Sequence, residues 1–146
     1  MADAITSFRG EYAFLSNFHS APVTWDGRTY KNNEAAFQSA KTLDPAERDA
    51  FTELAGVIAK RKGRKVQLRP DWEDVKDALM EEIVRAKFTQ NEDLAAKLLA
   101  TGDAPLFEGN NWHDTYWGVD ATTLKGQNRL GLILMKIRGE LRENSK

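Results

Sequence analysis

The chain has 146 residues, 29% of them charged and 41% hydrophobic, which is typical of one soluble globular domain with a sizeable core. Its 21 basic and 22 acidic side chains give a net charge of −1, so any nucleic-acid contact is confined to a local patch. The absence of cysteine excludes disulfides, iron–sulfur clusters and thiolate zinc, and it fits the cytoplasmic location that we expect.

The sequence also lacks the patterns of a secretory signal, a membrane span and a histidine metal site. The N-terminus has no apolar core behind a basic stretch, so it does not have the pattern of a secretory signal, and no apolar run approaches the roughly 18–20 residues that span a bilayer. With only His19 and His113, a clustered imidazole metal site is excluded. We expect no metal, no cofactor and no membrane contact, although a carboxylate-bound Mg²⁺ leaves little signature in a sequence.

The predicted elements begin with a mixed first third. Residues 8–18 are aromatic and turn-rich. Residues 23–30 predict a hairpin, because β-favouring residues flank the two-residue turn signal Asp26-Gly27. Asn32 or Asn33 is placed to cap the first of several helices.

Helices are predicted for most of the remaining chain. They cover approximately residues 33–43, 45–54, 56–62, 71–88, 91–99 and 128–142, with a short strand at residues 106–107. The residues predicted to face inward from the two longest helices are Val75, Leu79, Ile83, Val84, Phe88, Leu130, Leu134, Ile137 and Leu141. The prediction is a predominantly helical α+β fold with a small N-terminal hairpin, one domain of residues 1–146 with its core at about residues 8–142.

The tryptophan loop (residues 108–120) is the first candidate for a ligand site, with the sequence EGNNWHDTYWGVD. Its glycine and asparagines predict a loop, and its two tryptophans suit a ligand that stacks. Asp114 is the candidate chemical group, with an Asx-type turn as the structural alternative. Trp112 and Trp117 are either stacking surfaces or core, and His113 is predicted to face solvent.

The helix that begins near residue 33 is the second candidate. Glu34, Phe37, Gln38 and Lys41 share one face at helical spacing, and the opposite side carries mostly alanine. One interpretation is a solvated face with an ordinary Glu–Lys pair. The other is a cleft, with the tryptophan loop as its second wall and with Glu34 kept ionised near the helix N-terminus. Two carboxylates on separate elements suit cleavage at an anomeric carbon.

Basic residues form a third candidate. The basic run (residues 60–65) has the sequence KRKGRK and is followed by Arg69; such a run is either a solvated face or a contact for phosphate or nucleic-acid backbone. Residues 126–128, just before the last helix, are a weaker candidate for binding an anion with backbone amides.

Seven segments in a fixed order resemble the NADAR family, and the resemblance covers residues 8–141. They are GEYAFLSNF (10–18), YKNNEAAFQSAK (30–41), GRKVQLRPDW (63–72), KF (87–88), LLATG (98–102), EGNNWHDTYWG (108–118) and GQNRLG (126–131). The family's helix more often has histidine after the glutamate, whereas this chain has Ala35. A role of that histidine is therefore absent here.

The resemblance implies an N-glycosidase that hydrolyses a bond between ribose C1 and nitrogen. One associated substrate is ADP-ribose on guanine in nucleic acid, removed as an antidote to a DNA ADP-ribosyltransferase; the other is a ribosylamino-pyrimidine phosphate of early riboflavin biosynthesis. The basic run and the lack of an attached deaminase or reductase module favour the first, so the expected partner is ADP-ribose or ADP-ribosylated nucleic acid. The alternatives of another class are a non-catalytic ADP-ribose- or nucleotide-binding module and a structural protein with a tryptophan-rich core.

In the expected mechanism, Glu34 or Asp114 stabilises the positive charge at the anomeric carbon and activates water. The other acid, or a nearby donor, assists departure of the nitrogen. Alternatively Lys41, its pKa lowered by burial, forms a Schiff base at the sugar carbon. The expected stacking walls are Trp72, Trp112 and Trp117, and the further expected substrate-binding residues are Arg9, Asn17, Phe18, Gln38, Arg64, Glu108 and Asn128.

Overall fold

The hairpin signalled by Asp26-Gly27 is present in the protein, described here from a computed structural model over residues 3–145. Strand β1 (Ser20–Trp25) pairs antiparallel with β2 (Arg28–Asn32). Asp26 and Gly27 take φ angles of 53° and 74°, the positive values that a two-residue hairpin turn requires. The hairpin prediction is confirmed.

The chain forms two compact units, which are described separately. One contains residues 17–91, and the other contains residues 3–16 together with residues 92–145. Met1, Ala2 and Lys146, which the predicted domain includes, lie outside the described residues. That residues 1–146 behave as one domain stays a prediction.

In the unit of residues 17–91, helix α1 (Asn33–Ser39) follows β2 directly. The side chain of Asn32, not Asn33, caps it by accepting a hydrogen bond from the backbone N–H of Ala35 at 2.8 Å. The helix ends about four residues earlier than predicted. The carbonyl of Lys41 accepts the N–H of Arg69 at 2.7 Å, a tertiary hydrogen bond in place of one to a further helical turn.

Three more helices complete this unit: α2 (Pro45–Asp49), α3 (Gly56–Gly63) and α4 (Trp72–Gln90). Helix α2 begins as predicted, with the Asp44 side chain accepting the N–H of Ala46 at 3.0 Å, but it ends before residue 50 and not at about residue 54. Helix α1 packs against α3 and α4, and α4 also packs on β1. The buried side of α4 includes Lys87, which the apolar pattern did not predict.

In the other unit, α5 (Glu92–Ala100) packs against α6 (Arg129–Asn144). The predicted inward residues Leu130, Leu134 and Ile137 are buried. The strand predicted at residues 106–107 is a single bridge between Ile5 and Leu106. A 3-10 helix (Gly10–Leu15) and the short parallel pair β3 (Gly109–Asn110) and β4 (Val119–Asp120) complete the unit.

The predominantly helical α+β class is therefore confirmed, and the small hairpin lies near the N-terminus as expected. Of the helices within residues 3–145, none has both the length and the apolar character needed to cross a membrane.

Candidate active site

The predicted face of α1 is buried, and this rules out the solvated-face interpretation. Glu34 is 7% exposed and Gln38 is 6% exposed, while Phe37 between them is also buried. The alanine side of the helix is buried as well. A carboxylate held this far from water requires partners or a function, because burying an uncompensated charge is costly.

Local hydrogen bonds hold the Glu34 carboxylate in place. The backbone N–H of Glu34 donates to the carbonyl of Asn17 at 2.9 Å, which fixes the first turn of α1. The Gln38 amide then donates Nε2–H to Oε2 of Glu34 at 3.2 Å. Glu34 lies in the first helical turn, where the helix dipole favours a negative charge.

Beside this carboxylate is a buried amide pair, of which the sequence assigned Asn17 to the site but not Asn33. Asn33 donates from Nδ2 to Oδ1 of Asn17 at 3.4 Å, and Asn17 donates in turn to the sulfur of Met80 at 3.5 Å. The sequence predicts for Asn33 only the role of a helix cap. Its Oδ1 is buried and has no hydrogen-bond partner in the described part of the chain. The one available signal was its position next to Glu34.

Lys41 lies at the other end of the same face. Its ammonium is 5.9 Å from the centroid of the Trp72 ring, and Trp72 packs at 5.1 Å against Phe37. Burial lowers the pKa of Lys41 most; the Glu34 carboxylate raises it, while Arg64 and then Lys60 lower it. Because Trp72 is only 7% exposed, it supports Lys41 and Phe37 and does not present an open stacking surface.

The basic run divides into residues with different roles. Arg61, Arg64 and Lys65 are exposed, as a phosphate contact requires. Lys60 is half-buried, and its ammonium lies 5.9 Å from the ring centroid of Phe18, which is itself 39% exposed. The cations that influence Lys41 therefore come from the same helix that contacts Phe18.

Arg69 is not an open extension of that run. Its guanidinium donates to both carboxylate oxygens of Asp71, at 2.7 and 3.1 Å. Its backbone N–H donates to Lys41. Arg69 therefore fixes the chain after α1 and is not a spare cation for phosphate.

In the tryptophan loop, Asp114 has the structural role that the Asx-turn alternative predicted. Its Oδ1 accepts the backbone N–H groups of Tyr116 at 3.1 Å and Trp117 at 2.9 Å. Asn110, which sequence reasoning missed, lies at the centre of the loop. Its Oδ1 accepts from Trp112 and Asp114, and its Nδ2 donates to the carbonyl of Asp114 at 2.9 Å.

The tryptophan loop also caps α6. The N–H groups that begin this helix donate to loop carbonyls, and the four donor–acceptor pairs are Gln127 to Thr115, Asn128 to Gly118, Arg129 to Tyr116 and Leu130 to Trp117. The interpretation of residues 126–128 as an anion site is therefore wrong, because these amides are already paired. The N–H groups at the start of α6, which had the pattern of an anion site, are hydrogen-bonded to the tryptophan loop.

Asn128 and Glu108 lie at the base of the same loop. Asn128 has a φ of 51°, donates from Nδ2 to the carbonyl of Leu106 at 2.8 Å and accepts the N–H of Glu108 at 3.0 Å. The Glu108 carboxylate accepts from Asn110 at 2.9 Å. Both side chains shape the loop, and their predicted contact with substrate stays a prediction.

The aromatic rings of the loop differ in accessibility. Trp112 is 47% exposed. Trp117 is half-buried and meets Tyr116 edge-on, with ring centroids 4.9 Å apart. His113 is exposed, as predicted. Trp112 is therefore the ring of this loop that offers the most surface to a ligand.

The remaining predicted residue is Arg9. It is exposed and lines a surface groove of about 500 Å³ that residues 3–12 form. Within residues 3–145, no group of three or more histidine or carboxylate side chains is placed to hold a metal ion.

The structure thus brings Glu34, Gln38, Lys41 and Trp72 together. It groups Glu108, Asp114 and Trp117 in the tryptophan loop, with Asn128 hydrogen-bonded to Glu108 at the base of that loop. The predicted pairing of Glu34 with Asp114 joins residues of the two compact units and stays a prediction.

The chain is similar to known proteins over most of its length. The NADAR domain model matches residues 6–142. The chain is 40% identical to N-glycosidase YbiA of Escherichia coli (strain K12), over 97% of this chain and 91% of that protein. It is 37% identical to riboflavin biosynthesis protein VVA0006 of Vibrio vulnificus, over 92% of this chain and 37% of that protein.

The solved structure of E. coli YbiA, determined by NMR, has the same fold. The TM-score is 0.85 at 39% sequence identity, covering 99% of this chain and 89% of that chain. The match to N-glycosidase YbiA and the match to the family model bear on function because both extend over nearly the whole chain. The protein belongs to the NADAR domain family and is an N-glycosidase, a hydrolase of N-glycosyl compounds.

Proposed function

We propose that this N-glycosidase removes ADP-ribose from guanine bases of nucleic acid by hydrolysing the bond between ribose C1 and nitrogen. The observation that carries the proposal is the buried carboxylate of Glu34, which accepts a hydrogen bond from Gln38 and interacts electrostatically with Lys41. Lys41 is in turn influenced by the positive charges of Arg64 and Lys60. A carboxylate suits the developing positive charge at C1, and surrounding cations suit the phosphates of the ligand.

In the hydrolytic route, Glu34 stabilises the oxocarbenium-like transition state and accepts a proton from the attacking water. The water oxygen forms the new bond to C1 as the C1–N bond breaks. The leaving nitrogen takes a proton from a nearby acid. Lys41 suits that step, because its lowered pKa makes its ammonium a better donor than an ordinary lysine.

Asp114 is the less favoured central acid. One of its carboxylate oxygens is occupied by two backbone N–H groups of the tryptophan loop. Its predicted contribution to proton transfer therefore depends on its second oxygen. The corresponding test is Asp114→Asn, which keeps an oxygen acceptor for the loop while removing the charge.

A covalent route uses the same residues in a different order. The neutral amine of Lys41 attacks C1 as the base nitrogen leaves with a proton, and the sugar ring opens to an imine. Water then hydrolyses the imine, which frees both the lysine and the sugar. The lowered pKa of Lys41 also supports this route, because it populates the neutral amine at a lower pH.

The second candidate substrate is a ribosylamino-pyrimidine phosphate of riboflavin biosynthesis. Relatives named as riboflavin biosynthesis proteins, from Vibrio vulnificus and Arabidopsis thaliana, favour it. The exposed cations Arg61, Arg64 and Lys65 favour nucleic acid instead, because a small monophosphate does not require so long a basic surface.

A side-by-side hydrolysis assay tests the proposal. A guanine-ADP-ribosylated oligonucleotide and a ribosylamino-pyrimidine phosphate are incubated separately with the enzyme, and free ADP-ribose or released pyrimidine is measured. We expect much higher kcat/KM on the oligonucleotide. Faster turnover of the pyrimidine would transfer the assignment to riboflavin chemistry. Tight binding of ADP-ribose without turnover of either substrate would support the binding module.

A further inference from the structure

The close approach of α3 to α1 depends on the absence of a side chain at Gly63. A Cβ at this position would overlap Oε1 of Gln38 and would lie 2.7 Å from Cδ and 3.1 Å from Cβ of the same residue. At the other end of α3, a Cβ on Gly56 would overlap the ring of Phe18. Both ends of α3 therefore pack so closely that a side chain at either glycine would force the facing side chain to move.

Gly63 contacts the side chain of Gln38, which is hydrogen-bonded to Glu34 in the candidate site. Gln38 is 6% exposed and donates from Nε2 to Oε2 of Glu34 at 3.2 Å. Its Oε1, the atom against Gly63, is buried and has no hydrogen-bond partner among residues 3–145. Unpartnered buried acceptors are rare in proteins. The Nε2 end of the amide therefore bonds to Glu34, while Gly63 limits where the Oε1 end can lie.

We infer that Gly63 is a positioning residue of the glycosidase reaction: it holds the Gln38 amide so that its N–H group points at the Glu34 carboxylate. The inference rests on the proposed function only in giving Glu34 the central role. A methyl group at position 63 displaces Oε1, rotates or withdraws the amide and leaves Glu34 without this donor. The ligand-contacting surfaces of α3 carry the same residues in both forms.

The test is the kinetics of Gly63→Ala on the substrate that the wild-type enzyme hydrolyses. We expect kcat to fall roughly tenfold or more, the effect of losing one hydrogen bond to a charged group, with KM within about twofold. The matched control is Gly139→Ala in α6, where an added Cβ meets nothing within 4 Å. Its kcat should equal that of the wild-type enzyme. Circular dichroism and thermal unfolding confirm that both variants are folded.

A double-mutant cycle separates positioning from general damage to packing. Gln38→Ala alone should lower kcat by a similar factor, because it removes the donor to Glu34. Adding Gly63→Ala to that variant should cost little more, since the Oε1 and Cδ atoms that it would overlap are gone and only the Cβ contact remains. Equal, independent losses from the two substitutions would overturn the inference.

The same cycle still tests the inference if the Gly63→Ala protein does not fold. The double variant should then fold where the single variant does not, and an unfolded double variant would contradict the inference. The outcomes are also distinct from those of the proposed function. A wild-type enzyme inactive on both substrates contradicts the proposed function, whereas an active wild-type enzyme with an equally active Gly63→Ala contradicts the positioning role alone.

Discussion

Burial and several neighbouring charges together set the pKa of the Lys41 amine. Burial lowers its pKa most, Glu34 opposes that effect, and Arg64 adds to it. Arg64→Ala should therefore raise the pKa of Lys41 and move the corresponding limb of the pH–rate profile to higher pH. Arg61→Ala is the control, because Arg61 is exposed on the same helix and is not among the groups that shift Lys41. A limb that stays in place in Arg64→Ala would remove Lys41 from the reaction.

The direction of that limb distinguishes the two chemical routes. If Lys41 donates a proton as an ammonium, the rate falls as pH rises through its pKa. If the neutral amine attacks, the rate rises through the same range and borohydride traps an adduct on Lys41. No adduct, together with an active Lys41→Ala variant, would contradict the covalent route.

At the residue scale, local spacing predicted part of the site. Glu34, Gln38 and Lys41 share a face because helix geometry requires it, and their grouping was visible in the sequence. Gly63 and Asn110 were missed for a common reason. Their roles depend on which side chain another segment presents to them, and spacing along the chain does not contain that information.

At the element scale, Asn110 organises the tryptophan loop. Its side chain bonds to Glu108 and to the backbone at Trp112 and Asp114. Asn110→Ala should lower the free energy of unfolding by about 2–4 kcal/mol, because several buried groups lose their partner together. The control is the exposed neighbour in Asn111→Ala, with an expected change within about 0.5 kcal/mol. Equal urea-unfolding midpoints for the two variants would contradict this role.

Helix α4 contains a buried lysine, Lys87, which makes the stability of the protein depend on pH. This side chain is 1% exposed, and burial lowers its pKa to about 7 from 10.5. Between those values the unfolded chain binds the extra proton, so stability should rise with pH and be flat below the folded pKa. The contribution is about 1.4 kcal/mol per pH unit.

Lys87→Met should remove that rise, as urea unfolding between pH 7 and 10 would measure. Lys136→Met, which changes an exposed lysine of α6, should keep it. A slope equal in Lys87→Met and wild-type protein would show that Lys87 is not the group responsible.

On the scale of the whole molecule, charge is balanced overall but concentrated locally. The net charge is −1, yet residues 60–65 carry five cations. If they contact nucleic-acid backbone, affinity for the ADP-ribosylated oligonucleotide should fall steeply with salt. Lys65→Ala should reduce the slope of log K against log salt by about 0.7–1. Lys31→Ala, an exposed lysine of β2 outside the run, should leave the slope unchanged. Equal slopes in all three proteins would argue for a small substrate.

The order and type of the main elements could be predicted from the sequence because caps, turns and periodicity are local signals. Helix ends were less predictable. Helix α1 ends early because Lys41 bonds to Arg69, a tertiary contact. Residues 126–128 had the pattern of an anion site because nothing in their sequence shows that the tryptophan loop supplies the acceptors.

The most direct test of the central claim is Glu34→Gln, a change that keeps the shape of the side chain and removes its charge. Binding of ADP-ribose and release of ADP-ribose from a guanine-ADP-ribosylated oligonucleotide are measured for this variant and for the wild-type enzyme. We predict binding within a few-fold of wild type and a rate of release lower by at least about 100-fold. A variant that binds and releases ADP-ribose at a near-normal rate would contradict the central role of Glu34.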